Sequence, residues 1–287
     1  MEFSKKGELT TQQIVILIIL IVSFAVIVFF LIRINLGKQT EQEICHNSVV
    51  TRGKSILPAD TFPLQCKRRY VCMSSDGSCE AMTNPDIIRV NTKDELYGAL
   101  SEQLAECWWM FGEGKVNYVG SDTLPTLYCS ICSQIAFDDS VGNRVFEGTQ
   151  EFDKREFYNY MATHTYSGDQ TYLYYLLGTN DVNRIYSGDF GNVTLQNQYY
   201  SLVGAWSKTS AWTWAGLGAI GFVAIAATGG AGLVVGALAF TVGGVSTYFL
   251  APVILGSSGN RFIPSTLVEV NSRQFNDLGC ETITTSS

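Results

Sequence analysis

Hydrophobic positions along the chain fall into two long uncharged blocks and, between them, a region of shorter periodic patterns. The first block, Ile14 to Ile32 (IVILIILIVSFAVIVFFLI), is nineteen residues with Ser23 as its only polar member and neither Gly nor Pro. At 1.5 Å per residue a helix of this length spans roughly 30 Å, the hydrocarbon thickness of a bilayer. It predicts a transmembrane anchor over 14–33 behind a short cytoplasmic N-terminus, 1–13. A secretory h-region is ~7–15 residues and ends in a small-residue cleavage site. This run is longer and continues into Arg33-Ile34-Asn35-Leu36, which predicts that the helix is retained. The second block, Thr209 to Asn260, is fifty-two residues without Asp, Glu, Lys, Arg or His. One span needs ~20 residues, and Thr228-Gly229-Gly230-Ala231-Gly232 offers a turn at the midpoint. The expectation is a Gly-rich transmembrane helical hairpin over 206–255, with Trp206, Trp212 and Trp214 as an interfacial belt and Pro252 near its end. Gly232 and Gly236 stand at GxxxG spacing, which lets helix backbones approach closely.

The region between the blocks, 34–205, is the only one large enough for a water-facing core, and it reads as mixed α and β. Thr92-Lys93-Asp94-Glu95 is a capping box opening a helix to about Phe111, with Leu96, Leu100, Leu104 and Trp108 on one stripe. Gly112 and Gly114 can end it. Asp153 and Glu156 at the same spacing open a second helix to about Thr163. Thr171–Leu177 is aromatic and β-prone, though a helix is also open to it. Residues 40–90 show little periodicity but hold four cysteines, the pattern of a loop-rich segment held by disulfides.

Composition sharpens the compartment. Charged residues are 16%, below the ~25% of soluble proteins. The net charge of −7 lacks the basic footprint that nucleic acid requires. The eight cysteines are Cys45, Cys66, Cys72, Cys79, Cys107, Cys129, Cys132 and Cys280. None lies in either block, and a two-helix hairpin would return the tail, 256–287, to the side of the central region. All eight then share one compartment and pair completely, which predicts an oxidising exterior. Flanking charge is nearly balanced, Lys5 and Lys6 before the first block against Arg33 and Lys38 after it, so sidedness rests on the cysteines. Asn192-Val193-Thr194 is a glycosylation sequon.

Candidate chemistry is sparse. Cys129-Ser130-Ile131-Cys132 is a CxxC, open to reading as a redox pair, half a zinc site or two structural cysteines. His46 and His164, the only histidines, stand in no ligand pattern, and no second CxxC completes a zinc site, so structural disulfides are the favoured reading. Asp138-Asp139 and Glu102/Glu106 can be drawn as acid–base pairs but read more simply as solvated residues. The chain has no GxSxG, P-loop, HExxH or dinucleotide fingerprint. No cofactor or metal is expected. Nine tyrosines lie between 157 and 200, fitting either an aromatic core or a recognition surface.

Lys5-Lys6-Gly7-Glu8, placed before Leu9–Gln13 and the apolar run, resembles the class III signal of archaeal type IV pilin-like proteins. The resemblance implies a cut after Gly7 that leaves Glu8 as the new N-terminus and the apolar helix on the mature protein. Gln12 stands where bacterial pilins usually carry Glu. The strings CWWMFGEGK (Cys107–Lys115) and CSICSQIAFDD (Cys129–Asp139) resemble uncharacterised membrane proteins of small-genome archaea, which implies no activity. The expectation as a whole is a membrane-anchored α+β protein of the cell surface. Its central domain and tail are exterior, and it acts by binding or assembly. Its partners are the lipid bilayer and either further copies or an envelope protein. A pilin-like subunit and a thiol oxidoreductase using Cys129 and Cys132 are the alternatives.

Overall fold

The computed structural model describes residues 11–33, 40–55, 61–119, 126–185, 190–206, 220–223, 236–242, 245–255, 261–278 and 280–282. The chain divides into two compact units, Met1–Thr40 and Glu41–Ser287.

The first unit holds α1 (Thr11–Arg33), built on the first apolar block. Its side chains are described from Gln13 to Phe24 and at Val26. Among the described residues, no helix is long and apolar enough to cross a membrane. The expected transmembrane anchor over 14–33 is corrected accordingly.

The second unit runs α2 (Glu41–Lys54), β1 (Arg69–Ser74), β2 (Asp86–Arg89), α3 (Lys93–Met110), β3 (Leu127–Phe137), α4 (Asp139–Arg144), β4 (Glu151–Asp153), α5 (Lys154–Thr163), β5 (Thr165–Ser167) and β6 (Gln170–Thr171). It continues through α6 (Tyr172–Leu177), α7 (Val182–Ile185), β7 (Asn192–Thr194), β8 (Tyr199–Trp206), β9 (Ile220–Val223), β10 (Gly236–Val242), β11 (Val245–Leu255), β12 (Arg261–Glu269), α8 (Arg273–Asp277) and β13 (Glu281–Thr282). One sheet has the order β2-β1-β3-β8-β12-β11-β10-β9, with β13 beside β3. β1 pairs parallel with both β2 and β3, whereas the ladder from β3 through β8 and β12 to β9 is antiparallel. β4–β7 and β5–β6 form two small antiparallel pairs.

The second uncharged block is therefore not a pair of transmembrane helices. Its described residues form the antiparallel strands β9, β10 and β11, with β10 and β11 paired from Gly236↔Val253 to Val242↔Val245 across a register shift between Ala237 and Leu238. Sequences such as GALAFTV and VSTYFLAPVIL are rich in the β-branched and aromatic residues that suit a pleated surface. Absence of charge marks such a segment as apolar without choosing helix over strand. Gly236 opens β10, and Gly232 lies outside the described residues.

Alternation along the central strands creates two cores. On β8, Tyr199, Val203 and Ala205 join the larger cluster, which α3 and its neighbours cover, while Leu202 and Trp206 join the smaller one with Leu278. Period-2 geometry sends these sets to opposite faces of the sheet. On β3 a bulge between Ile131 and Ser133 shifts the pattern. Leu127, Cys129 and Ile131 line the smaller cluster, and Cys132, Ile135 and Phe137 the larger. Pro264 is accommodated where β12 changes register, between Ile263 and Thr266.

α3 is the central helix. The Thr92 hydroxyl accepts from the Glu95 N–H at 3.1 Å, and the Glu95 carboxylate accepts from the Asn91 N–H at 2.6 Å, one residue before the position a capping box would satisfy. Leu96, Leu100, Leu104 and Trp108 are all buried, each burial stabilising by about 1.5–3 kcal/mol. Beyond Phe111 the chain turns through Gly112 (φ +76°) and Gly114 (φ +68°), left-handed positions that suit glycine. Thr171–Leu177 resolves as helix: Thr171 caps α6 through the Tyr174 N–H, and Gly178 closes it in the left-handed region.

All eight cysteines are paired: Cys45–Cys66, Cys72–Cys79, Cys107–Cys132 and Cys129–Cys280. Cys280 reaches its partner because β13 lies parallel to the first residues of β3, with Glu281↔Tyr128 and Thr282↔Cys129 in register. Complete pairing thus needs no membrane hairpin to return the tail.

Candidate functional site

The parallel strands β1, β2 and β3 end together, and open α/β edges of this kind place ligand crevices beyond their carboxyl ends. A cleft of about 560 Å³ lies there, lined by the turn after β1 (Asp76, Ser78, Glu80) and by Asp138, Ser140 and Arg144 after β3. The Asp138 N–H donates to the Met73 carbonyl at 2.9 Å, one rung beyond the β1–β3 ladder. The Asp138 carboxylate caps α4 by accepting from the Ser140 N–H at 2.9 Å. The Ser140 hydroxyl accepts from the Ser75 N–H at 3.0 Å, and the Ser75 hydroxyl donates to the Ser140 carbonyl at 3.1 Å. Asp76 Oδ1 accepts from the Ser74 hydroxyl at 3.1 Å and from the Ser78 N–H at 3.0 Å and hydroxyl at 2.5 Å. Cys72–Cys79 closes this turn covalently, and Gly77 (φ +91°) packs under the Arg89 guanidinium, which a Cβ would meet at 2.8 Å.

The cleft is acidic, with Asp76, Glu80, Asp138 and Asp139 against Arg144, whose Nη2 lies 3.9 Å from Asp76. The hydrogen bonds from Ser78, first its hydroxyl and then its N–H, pull the Asp76 carboxyl down to about 2. The Ser78 hydroxyl is held as a donor to that carboxylate. The arrangement suits hydrogen bonding to a polar ligand. Among the described residues, no group of three or more His, Cys, Asp or Glu could hold a metal ion.

A second polar–aromatic face surrounds the half-exposed side of α3. The Tyr172 hydroxyl donates to Glu102 at 2.9 Å and the Tyr175 hydroxyl to Glu113 at 2.7 Å, while Tyr166 stacks on Tyr175 with centroids 4.5 Å apart. Burial, then the adjacent carboxylates, push both hydroxyls far above the ordinary tyrosine range. Burial raises the Glu106 carboxyl despite Arg69 at 3.0 Å. Burial also opposes charge on Glu113, but Lys115 and Tyr175 outweigh it and leave that carboxyl lowered. Of the nine tyrosines, Tyr199 is core, Tyr158 and Tyr160 pack against the larger cluster and Tyr200 against the smaller, Tyr166, Tyr172 and Tyr175 form this face, Tyr174 is exposed, and Tyr186 lies outside the described residues.

The other candidate residues are dispersed. Cys129 and Cys132, three apart on a strand, face opposite clusters and bond to different partners, so they do not form a dithiol couple with each other. His46 stacks on Trp109 with centroids 4.2 Å apart, and its Nδ1 donates to the Trp109 carbonyl at 2.7 Å. His164 stacks on Tyr160 and its Nδ1 donates to that residue's carbonyl at 2.9 Å. Neither has a free thiol to activate. Asn192 of the sequon is exposed on β7. Gly7 and Glu8 lie outside the described residues. Of the sequence candidates, Asp138-Asp139 lies in the cleft, but its other wall, some sixty residues earlier, meets it only through the parallel β1–β3 pairing. No family model, curated protein or solved structure matches the chain.

Proposed function

We propose that this protein works at the cell surface as a disulfide-braced assembly subunit, acting by contact and not by catalysis, with α1 as its assembly element. The observation that carries the reading is the surface of α1. From Ile14 to Val22, at Phe24 and at Val26, its large apolar side chains are 45–68% exposed. A helix that is apolar all round offers no face to water, and continuous apolar surface marks an interaction site. Copies of α1 packed side by side would cover it on every side. Four disulfides support an oxidising exterior.

The test compares sedimentation of the full chain with a Leu17→Glu/Ile21→Glu variant, whose substitutions lie one turn apart on α1. The wild type is expected to associate and the variant to run as a monomer with its disulfides intact. A wild type that stays monomeric, or that floats with phospholipid vesicles in place of self-associating, contradicts the reading.

A second reading, a pilin-like subunit cut after Gly7, is favoured by two observations. α1 lies in a compact unit of its own, Met1–Thr40. The strands β9–β11 also replace the helical hairpin that a filament subunit would have had to carry out of the bilayer. Sequencing the mature N-terminus decides it: a start at Glu8 supports processing, and a start at Met1 or after Met removal rejects it.

A further inference from the structure

The sequon Asn192-Val193-Thr194 is used by neither the cleft nor the assembly surface, and its Asn-x-Ser/Thr pattern occurs once in the chain. It forms β7, which pairs antiparallel with β4 as Glu151↔Thr194, Phe152↔Val193 and Asp153↔Asn192. Period-2 geometry sends alternate side chains of such a pair to opposite faces. Phe152 and Val193 are buried in the larger cluster. Glu151, Asp153 and Asn192 are exposed and Thr194 is half-buried, so the outer face of the pair is wholly polar. The backbone holds the sequon in place without help from its own side chains. The Thr194 N–H donates to the Tyr199 hydroxyl at 2.9 Å, and that hydroxyl donates to the Thr194 carbonyl at 3.2 Å. Among the described residues nothing hydrogen-bonds the Asn192 carboxamide. The preceding Gly191 borders open space, since a Cβ there would meet no atom within 4 Å. The amide and the hydroxyl that the motif requires thus share one outer face, with room beside the asparagine for a bulky hydrophilic group.

We propose that Asn192 carries an N-linked glycan, an inference that rests on the exterior reading given above. The co-reactant is an oligosaccharide joined through phosphate to a polyprenyl lipid. Nδ2 of Asn192 bonds to the anomeric carbon of the first sugar. The bond from that carbon to the phosphate oxygen breaks, and the lipid phosphate leaves with the electron pair. The proton lost from Nδ2 passes to a base of the transferring enzyme, and nothing is oxidised or reduced. Thr194 supplies the hydroxyl at the third position of the acceptor motif. The sugar chain would stand on a face that has no apolar contacts to lose, so it adds a solubilising group without disturbing Val193 or Phe152 beneath it. It would also keep the β4–β7 face in solvent in any assembly of copies.

The test is peptide mass spectrometry of the full chain isolated from the cells that make it, with its thiols labelled in parallel. The expected result is an Asn192 peptide heavier than its sequence by whole sugar residues. Asn192→Gln and Thr194→Ala should each abolish the excess, and Thr194→Ser, which keeps the hydroxyl, should retain it. An unmodified Asn192 peptide from a chain whose disulfides are intact overturns the proposal and leaves the exterior reading standing. An unmodified peptide from a chain with reactive thiols overturns both. Sugar that maps to another residue, or that survives Asn192→Gln, also overturns the proposal. The deciding mass comes from the wild-type chain, so a variant that fails to fold leaves the proposal falsifiable.

Discussion

Removing the Cys129–Cys280 bond by a Cys129→Ser/Cys280→Ser exchange is expected to be the costliest loss among the four disulfides. Among the described residues β13 is held to β3 by two register pairs, Glu281↔Tyr128 and Thr282↔Cys129, beside the covalent link. The bond closes a separation of 151 residues, against 7 for Cys72–Cys79. In the chain-entropy treatment, restoring the larger loop to the unfolded ensemble costs about 5 kcal/mol and the smaller about 2 kcal/mol. The 21- and 25-residue separations of Cys45–Cys66 and Cys107–Cys132 fall between, near 3 kcal/mol each. Guanidinium unfolding followed by tryptophan fluorescence gives the free energies. The Cys129/Cys280 variant should also unfold with a steeper m-value, because its unfolded chain exposes more surface. If this variant loses less than a Cys72→Ser/Cys79→Ser variant, the Cys129–Cys280 bond is not bracing the sheet, and β13 is a tail whose release leaves the fold intact.

Two further outcomes test particular packing and charge. Gly204 of β8 lies against Ile263, where a Cβ would come within 2.9 Å of Cδ1 and 3.1 Å of Cβ. Gly204→Ala should therefore destabilise by about 1–3 kcal/mol through overpacking, and a neutral effect in thermal unfolding would contradict the packing of β12 on β8. Asp76 has its folded carboxyl lowered from 3.8 to about 2. Its contribution to stability is present above pH 3.8 and is lost as pH falls through about 2. Carboxyl NMR should read that midpoint, and Ser78→Ala should raise it toward 3.8; a wild-type midpoint at 3.8 would refute the hydrogen-bonded turn.

Much of the second unit was legible where local chemistry decides structure. The Thr92–Glu95 spacing, the leucine stripe behind it and Gly112/Gly114 marked α3 to within two residues, because caps and periodicity are local signals. The even cysteine count foresaw complete pairing, but the pairing itself depends on strand neighbours far apart in sequence. The second uncharged block was misread because length and lack of charge report burial without period, and β10 and β11 satisfy the same composition as a helix. Cys129-Ser130-Ile131-Cys132 looked chemical only while its secondary structure was open. On a strand its two sulfurs face opposite ways. Of the cleft, only the Asp138-Asp139 pair stood out in the sequence, since its walls are assembled across the parallel β1–β3 pairing.

The claim at the centre of this account is that the chain lives, and assembles, in an oxidising exterior. The most direct measurement is a thiol count on the chain isolated from cells acidified at lysis to prevent exchange, then denatured and alkylated before and after reduction. The expected result is no reactive thiol before reduction and eight after it, two from each of the four disulfides. Reactive thiols before reduction would place the chain in a reducing compartment and contradict the account.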